Sequence, residues 1–363
     1  MHKLMPVSPS IYSEDIHQLS LVAHAMYYFD SGLSVKTLIS FFLYAKSIYF
    51  FASENEVQQK IAKDALNLRH IGCFGLTELG HGSNVKGIMT EAQYDHKNQC
   101  FYLNSPSDMA MKYWIGALAE IGTMAVIWAQ LIIDGKSYGP QPFVVPIRNP
   151  ETHEVYPGVK VMDCGHKNGS NNIDNGAVMF ENYKIPKDYC LDRYSGINQK
   201  GEYFSAFKNS DKLFGFYMAP LSVGRSFVNS NTIGASFNAL AIAIRYACTR
   251  RQFTNPANKT EQLLIDYQLT QKRLMPLLAA SFVSFFGGVD LLRTYDHNMK
   301  ELLNPSNKIM KELHAITGPF KAMSSWLTSK IITECRSILG GHGYSKLSGF
   351  DRMYNGNDVN TTW

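Results

Sequence analysis

Residues 221–251 read LSVGRSFVNSNTIGASFNALAIAIRYACTRR, and this stretch decides the fold class. Only Gly224 and Gly234 interrupt it, and its apolar side chains recur at spacings of three and four, which indicates an amphipathic helix. Pro220 precedes the stretch and suits a first helical turn. A helix of about 30 residues is about 45 Å long at 1.5 Å per residue, a length typical of helical bundles.

Beyond this stretch, the sequence predicts two further long helices, over 261–295 and 308–339. Residues 10–68 also show helical spacing of apolar positions. Two apolar runs, 38–52 and 277–289, are shorter than a membrane span, and each is interrupted or followed by a charge. We therefore predict that both runs are buried core helices and that there is no transmembrane segment.

Between the helical parts, the pattern changes to short strands separated by turn-forming clusters. The predicted strands are 89–94, 100–103, 123–133, 142–147, 159–162 and 177–180. Because no helical pattern lies between them, they favour an antiparallel sandwich or barrel. The expected fold class is therefore α+β, with an N-terminal helical domain over 1–69, a β domain over 70–195 and a long-helix bundle over 196–363.

Composition and charge narrow the functional classes. The chain has 363 residues, of which 45% are hydrophobic and 18% charged, and this excludes a disordered chain. The net charge is 35 minus 30, or +5, and the densest basic group is only Arg245, Arg250 and Arg251, so we expect no nucleic-acid partner. The six cysteines form no CxxC pair, which argues against a disulfide framework or a metal site.

Four clusters combine glycine with residues that could contact a ligand, and each also has a purely structural interpretation. Residues 74–84 read FGLTELGHGSN. The glycines there would admit a flat or anionic ligand, or the segment is a tight turn with a capping threonine. Residues 112–117 read KYWIGA, and the two aromatic side chains could wall a planar cofactor or simply pack in the core.

The other two clusters follow long predicted helices. Residues 246–253 read YACTRRQF. Arginines at that place either complement the helix dipole or clamp a pyrophosphate group with their guanidinium forks. Residues 338–345 read ILGGHGYS, and the paired glycines either end the helix or let backbone amides approach a nucleotide. His342 alone is more typical of a hydrogen-bonded structural residue than of a catalyst.

Together the clusters resemble the acyl-CoA oxidase family, within the wider acyl-CoA dehydrogenase fold. The matching motifs, in the expected order, are TE-x-GHG at 77–82, YW-x-G at 113–116, VPIR at 145–148, IDNG at 173–176, R-x-QF at 250–253 and GGHGYS at 340–345. The resemblance covers about residues 20–363. TE-x-GHG with GGHGYS indicates an oxidase rather than an ordinary dehydrogenase. The family's order of helical domain, β domain and bundle agrees with the periodicities above.

The resemblance implies an FAD cofactor between the β domain and the bundle. The implied cofactor-binding residues are Thr77, Gly116, Arg250, Gln252, Phe253, Gly340 and Gly341. Thr77 and Gly116 match positions that contact the flavin. Arg250 matches an arginine that reaches the FAD phosphates, usually across a subunit interface, and the paired glycines match backbone beside the adenine half. The implied assembly is therefore a homodimer.

The implied reaction is α,β-dehydrogenation of a fatty acyl-CoA to trans-2-enoyl-CoA, with molecular oxygen as electron acceptor and hydrogen peroxide as product. A positioned, partly desolvated carboxylate must take the α-proton. Family members are commonly peroxisomal, so the resemblance implies that compartment, although the C-terminal NTTW contains no Ser-Lys-Leu address.

The family's base is a glutamate that follows an aromatic residue shortly after GGHGYS. Here Trp363 aligns with that aromatic residue, and the glutamate would be the next one. The alternative position of the base reads Gly224-Arg225, without a carboxylate. We therefore expect no catalytic residue within this chain, a truncation at both ends and negligible activity. Two other functions stay open: a dehydrogenase with a protein electron acceptor, and a non-catalytic flavin- or acyl-CoA-binding protein.

Overall fold

The computed structural model describes residues 16–257, 259–298 and 309–362. Helices come first: α1 Ile16–Phe29, α2 Ser31–Leu38, a π-helix Ile39–Ala45, α3 Lys46–Phe51 and α4 Glu56–Leu66. Asp30 caps α2 by accepting a hydrogen bond from the Leu33 backbone N–H, and Asn55 caps α4 by accepting one from Val57. The predicted helical character is confirmed from residue 16 onward, and residues 10–15 lie outside the described residues. Most of the 38–52 run is buried as predicted, including Phe41, Tyr44 and Ile48, but Tyr49 is 45% exposed.

The middle of the chain forms two sheets. Their strands are β1 Gly72–Gly75, β2 Glu91–Asp95, β3 Cys100–Asn104, β4 Lys112–Ile115, β5 Met124–Ile133, β6 Lys136–Pro146, β7 Val159–Asp163, β8 Gly176–Phe180 and β9 Tyr183–Pro186. The larger sheet has the order β1-β5-β2-β3-β9, with β6 also paired to β5, and the smaller sheet has the order β4-β8-β7. All six predicted strands are present, and five have bounds within two residues of those expected, whereas β6 begins at Lys136, six residues before the expected start.

The expectation of an antiparallel β domain needs one correction, because the larger sheet is mixed. β1 runs parallel to β5, with Gly72 opposite Met124, and β2 also runs parallel to β5, with Glu91 opposite Gln130. The pairs β2-β3, β3-β9 and β5-β6 are antiparallel. Alternating apolar residues show which face of a strand is buried, but they do not show the direction of the strand beside it. The periodicity therefore could not reveal the parallel pairs.

β5 joins the layers of this region because it is buried on both faces. Ile127 belongs to the core between the two sheets, together with Phe180 of β8. Trp128, the next residue, belongs to the core on the opposite face, where its ring meets those of Phe51 and Tyr217 edge to face with centroids 6.0 and 5.4 Å away. A strand buried on both sides must be apolar at nearly every position, and β5 reads MAVIWAQLII.

The rest of the chain is mainly helical. Its elements are β10 Ser195–Ile197, β11 Tyr203–Ser205, α5 Ser210–Tyr217, α6 Ala219–Ala247, β12 Arg251–Thr254, β13 Glu261–Leu263, α7 Gln268–His297, α8 Ile309–Ile338, α9 Gly341–Tyr344 and α10 Phe350–Asp358. The three long predicted helices are confirmed as α6, α7 and α8. The second begins at Gln268 and not at 261, because residues 261–263 pair with β12 as an antiparallel hairpin.

The prediction that the 277–289 run is a buried core helix is only partly right. Leu277 faces the core of the bundle, but Phe282, Val283 and Phe286 are 47, 71 and 64% exposed. Within the described ranges, α7 is the one helix long and apolar enough to cross a membrane, judged by length and composition alone. One such helix is weak evidence for a membrane span, and α7 packs against α6 and α8.

Candidate functional site

The first two clusters of the sequence form a single site. Thr77 follows β1, and its Oγ1 donates a hydrogen bond to the carbonyl oxygen of Tyr113 in β4 at 3.0 Å. The backbone N–H of Tyr113 donates to the carbonyl of Thr77 at 3.1 Å, and Leu79 N–H donates to Met111 O at 2.8 Å. Glu78 and His81 close the tight turn by exchanging backbone hydrogen bonds. The predicted turn is therefore present, and it holds Thr77 beside the Tyr-Trp-x-Gly strand.

A buried ion pair fastens this turn to β4. The Nζ of Lys112 lies 3.0 Å from Oε1 of Glu78, and both side chains are 0% exposed. Lys112 also donates to the carbonyl of Leu76 at 3.1 Å, and Glu78 accepts from the Thr90 hydroxyl at 2.6 Å and from the Met89 backbone N–H at 2.7 Å. Burial alone would raise the pKa of Glu78, but Lys112 and these hydrogen bonds hold that pKa below its ordinary value.

The turn that contains Gly116 adopts a strained backbone. Trp114 has φ +67° and Ala117 has φ +65°, which is the left-handed region, and each costs about 1–2 kcal/mol for a residue with a β carbon. Gly116 itself is buried, and a β carbon there would lie 2.3 Å from Cδ1 of Ile39 in the π-helix. The Trp114 side chain is 56% exposed. A glycine held against the helical layer thus lies beside an exposed aromatic ring.

The third cluster lies where α6 ends. Arg250 is exposed, and its carbonyl accepts a hydrogen bond from Leu264 N–H at 2.9 Å. Gln252 is half-buried, and its carbonyl accepts from the Tyr267 hydroxyl at 2.7 Å. Phe253 has φ +61° and is 78% exposed, so the fold holds an aromatic residue in an unfavourable conformation facing solvent. The Arg-x-Gln-Phe segment therefore presents a cation and an aromatic ring at one end of the bundle.

The fourth cluster lies at the same end, after α8. Gly340 has φ +58°, and its N–H donates to the carbonyl of Ser337 at 3.1 Å, so it ends the helix as the structural interpretation predicts. A β carbon at Gly340 or Gly341 would meet open space. The His342 ring lies 6.0 Å from the ring of Tyr246 in α6, and this contact joins the two clusters. The glycine backbone is thus open to a ligand beside the Arg250 segment.

The predicted cofactor residues consequently fall into two groups. Thr77 and Gly116 lie together on the β layers, whereas the other five lie at the C-terminal ends of α6 and α8. No hydrogen bond or ring contact between described residues connects the two groups. Sequence reasoning also assigned no role to Glu78, Lys112, Arg148 or Asp174, although each lies in or beside a matched motif and has a buried charged side chain. Only Lys112, a charged residue in the short strand β4, offered a local signal.

The last α-helix, α10, contacts both α1 and the loop between β7 and β8. In α10, the carbonyl of Gly356 accepts a hydrogen bond from the Tyr27 hydroxyl at 3.2 Å, and Asn355 packs so closely on Gly169 that a β carbon there would lie 2.1 Å from its carbonyl oxygen. The loop 165–172 leads directly to Ile173, whose Cγ2 would lie 3.5 Å from a β carbon at Gly116. Trp363, before the expected glutamate, lies outside the described residues.

All six cysteines are free thiols, and burial raises the pKa of Cys73 and of Cys190 above the ordinary thiol value. In the described part of the chain, no three His, Cys, Asp or Glu side chains are grouped to hold a metal ion.

Two family models match the chain. Residues 73–183 match "Acyl-CoA dehydrogenase, middle domain", and residues 218–363 match "Acyl-CoA oxidase, C-alpha1 domain". The first covers the Thr77 and Gly116 group, and the second covers the Arg250 and Gly340 group.

Curated relatives and solved structures agree with these matches. The chain is 36% identical to acyl-coenzyme A oxidase 3, peroxisomal, of Arabidopsis thaliana over 92% of this chain and 48% of that protein. It is 36% identical to peroxisomal acyl-coenzyme A oxidase 3 of Homo sapiens over the same shares. It thus spans about half the length of the curated relatives it matches.

Solved structures of acyl-CoA oxidases superpose on most of the chain. The crystal structure of acyl-CoA oxidase 1 from Yarrowia lipolytica superposes with a TM-score of 0.89 at 34% identity, over 98% of this chain and 53% of that one. Acyl-CoA oxidase-2 of Caenorhabditis elegans, described as bound with FAD, ascaroside-CoA and ATP, superposes with a TM-score of 0.84 at 32% identity, over 90% and 49%. With its motifs, its fold and both domain matches in agreement, the chain belongs to the acyl-CoA oxidase family.

Proposed function

We propose that this chain supplies the flavin-binding part of a peroxisomal acyl-CoA oxidase. The activity would be dehydrogenation of a fatty acyl-CoA to its trans-2-enoyl-CoA, with molecular oxygen as electron acceptor and hydrogen peroxide as product. One observation carries this proposal: the double hydrogen bond between Thr77 and Tyr113 joins the TE-x-GHG turn to the YW-x-G strand. Two motifs that are separate in sequence therefore become one ligand-facing surface.

The residues present fit FAD. When bound, FAD supplies hydride acceptance from the β-carbon of the acyl chain and electron transfer to oxygen. Thr77 directs its hydroxyl proton to Tyr113, which leaves the oxygen lone pairs as acceptors for an N–H of the ring. The exposed Trp114 ring offers a flat apolar wall. Arg250 offers a guanidinium to phosphate oxygens, and the open backbone of Gly340 and Gly341 admits the nucleotide half.

We further propose that the complete site needs two copies of the chain. The Thr77 group and the Arg250 group have no direct connection among the described residues. Arg250 lies just after the C-terminal end of α6, a helix of 29 residues that is about 44 Å long. The exposed Phe253 beside Arg250 supports a surface that is covered on assembly. In a homodimer, Arg250 of one copy would reach the FAD held by Thr77 and Gly116 of the other.

The α-proton acceptor belongs to the same proposal. We infer that the glutamate expected after Trp363 would approach the flavin-contact turn. The contacts of α10 with Gly169 and Tyr27 support this position, since the loop after Gly169 leads to the residue beside Gly116. The division into domains 1–69, 70–195 and 196–363 remains part of the proposal, with the flavin contacts assigned to the second and third.

The first test is cofactor binding by the chain itself. Purified chain incubated with FAD and then separated from free cofactor by gel filtration should retain the visible absorbance of bound flavin. A chain that retains no flavin after this separation contradicts the proposal and favours a non-catalytic protein that does not bind flavin.

The second test uses the whole gene product. It should form hydrogen peroxide from a fatty acyl-CoA under air. Efficient electron transfer to a flavoprotein acceptor without peroxide would identify a dehydrogenase instead.

A further inference from the structure

The turn that follows β4, residues 117–122, is held by two charged side chains from distant parts of the chain. Arg148 comes directly after β6 and is only 5% exposed. Its Nη1 donates to the carbonyls of Leu118 at 2.8 Å and Gly122 at 2.9 Å, and its Nη2 donates to the carbonyl of Ala119 at 2.6 Å. A single guanidinium therefore satisfies three carbonyl groups of one short turn, those of Leu118 and Gly122 being buried.

Asp174 holds the amide side of the same turn. Its Oδ2 accepts hydrogen bonds from the backbone N–H groups of Glu120 and Ile121, both at 3.2 Å. Its backbone carbonyl accepts from Ala119 N–H at 3.2 Å, and its Oδ1 forms an ion pair with Nζ of Lys36 in α2 at 2.7 Å. The side chain is 8% exposed. Carbonyls and amides of the turn are thus both fixed by ionised groups, which form the stronger class of hydrogen bond.

This bracing acts next to the strained residues Trp114 and Ala117, which lie on either side of Gly116. Ala117, with φ +65°, is the first residue of the turn, and its carbonyl accepts from Gly122 N–H at 2.6 Å. The neighbour of Asp174, Asn175, donates from Nδ2 to the carbonyl of Trp114 at 3.0 Å. Left-handed conformations of Trp114 and Ala117 persist only where the surroundings impose them. The charged side chains therefore supply the constraint that the local sequence does not.

Close backbone packing leaves the turn no alternative position. A β carbon at Gly176, two residues after Asp174, would lie 2.6 Å from the backbone N of Ala119. A β carbon at Gly122 would lie 2.3 Å from Sγ of Cys73 and 2.6 Å from the carbonyl oxygen of Ala117. Two of the matched motifs, VPIR and IDNG, thus converge on one short turn.

We propose that Arg148 and Asp174 are positioning residues for FAD binding, which hold the turn 114–117 in the shape that receives the flavin. This inference rests on the proposed function. Arg148 is too deeply buried to touch a ligand, so its effect passes through the backbone of Ala117 and Gly116. Loss of either side chain should disturb the flavin surface and leave the rest of the fold in place.

The test compares matched variants of the chain. Arg148→Met removes the three donors and keeps the apolar stem, and Asp174→Ala removes the acceptor. Asp174→Asn keeps an oxygen that can accept from both amides and should restore most of the binding. Arg273→Met is the control, since it breaks an arginine ion pair with Glu334 in the bundle, away from the turn.

Three readouts separate positioning from general stability. FAD affinity of Arg148→Met and Asp174→Ala should fall about tenfold, equivalent to about 1.4 kcal/mol. The visible circular dichroism of bound flavin should change at saturating FAD, which a loss of stability alone would not cause. Amide hydrogen exchange should accelerate at residues 115–122 and not in α6 to α8.

The outcomes are distinguishable. Wild-type chain that takes up no FAD overturns the proposed function and, with it, this role. Wild-type chain that binds FAD, together with variants whose affinity and dichroism are unchanged, overturns the positioning role alone. Should Arg148→Met fail to fold, the positioning role is tested by comparing Asp174→Ala with Asp174→Asn. If these two variants change the flavin circular dichroism and the amide hydrogen exchange by equal amounts, the inference is contradicted.

Discussion

Lys112 Nζ lies 3.0 Å from Glu78 Oε1, and neither side chain has any exposed surface. The two residues flank the double hydrogen bond between Thr77 and Tyr113, so the ion pair determines how the turn after β1 meets β4. Removing one member of a buried pair leaves an uncompensated charge, whereas removing both leaves none. The first prediction follows from this difference.

Lys112→Met should destabilise the chain by about 3–5 kcal/mol, because it strands the Glu78 carboxylate in the interior. Adding Glu78→Gln to Lys112→Met should recover part of that loss. Urea unfolding of the single variants and the double variant measures the coupling. Lys160→Met, which breaks the exposed Lys160–Glu181 pair, is the control and should change the free energy of unfolding by under about 1 kcal/mol. A double variant as unstable as the sum of both single changes would contradict the pairing.

The Glu78 carboxyl should also make the free energy of unfolding depend on pH in the acidic range. Its pKa in the folded chain is below the ordinary value of 4.5, so the folded state prefers the ionised form. The stabilisation is complete above the unfolded-state pKa and is lost as the pH falls through the folded-state pKa. We expect the free energy of unfolding to fall more steeply in the wild type than in Glu78→Gln between about pH 5 and pH 3. If urea unfolding gives the same pH dependence of the free energy of unfolding for the wild type and for Glu78→Gln, this argues against an ionised Glu78.

Thr77→Val should weaken FAD binding without unfolding the chain. The change removes the hydroxyl that donates to Tyr113 and would accept from the flavin, and it keeps the side-chain shape. The loss of one such hydrogen bond is about 1 kcal/mol, or about fivefold in affinity. Quenching of flavin fluorescence measures the affinity. Thr333→Val on α8, whose hydroxyl donates only to Ser329 O, is the matched control and should bind FAD as the wild type does.

Arg250→Ala should weaken FAD binding in a salt-dependent manner, because an exposed guanidinium acts on phosphate oxygens through screened charge. The comparison variant is Arg245→Ala, an exposed arginine in the last turn of α6. FAD titrations at low and high ionic strength should show that the difference in FAD affinity between Arg250→Ala and the wild type becomes smaller as the salt concentration rises. Equal affinities of both variants at low salt would remove Arg250 from the proposed site.

Local sequence patterns carry much of this architecture. Apolar residues spaced three and four apart predicted α6, α7 and α8. The change to a strand pattern predicted β2, β3, β5, β6, β7 and β8, although only the second half of β6 was predicted. Both patterns are readable because backbone geometry sets the side-chain periodicity of each element. Ending a helix was one of the two interpretations of Gly340, and this residue does so at φ +58°, a conformation that glycine tolerates. The motif order was also enough to indicate the family, to which the chain belongs.

Tertiary structure decided the features that depend on residues far apart in the chain. Thr77 and Tyr113 are 36 positions apart, and Asp174 reaches Glu120 across 54. The parallel direction of β1 and β2 beside β5, the burial of Glu78 against Lys112 and the bracing of Ala117 arise only when the layers pack. A periodicity describes one element and its buried face, whereas strand direction, buried charge pairing and backbone strain are properties of the contact between elements.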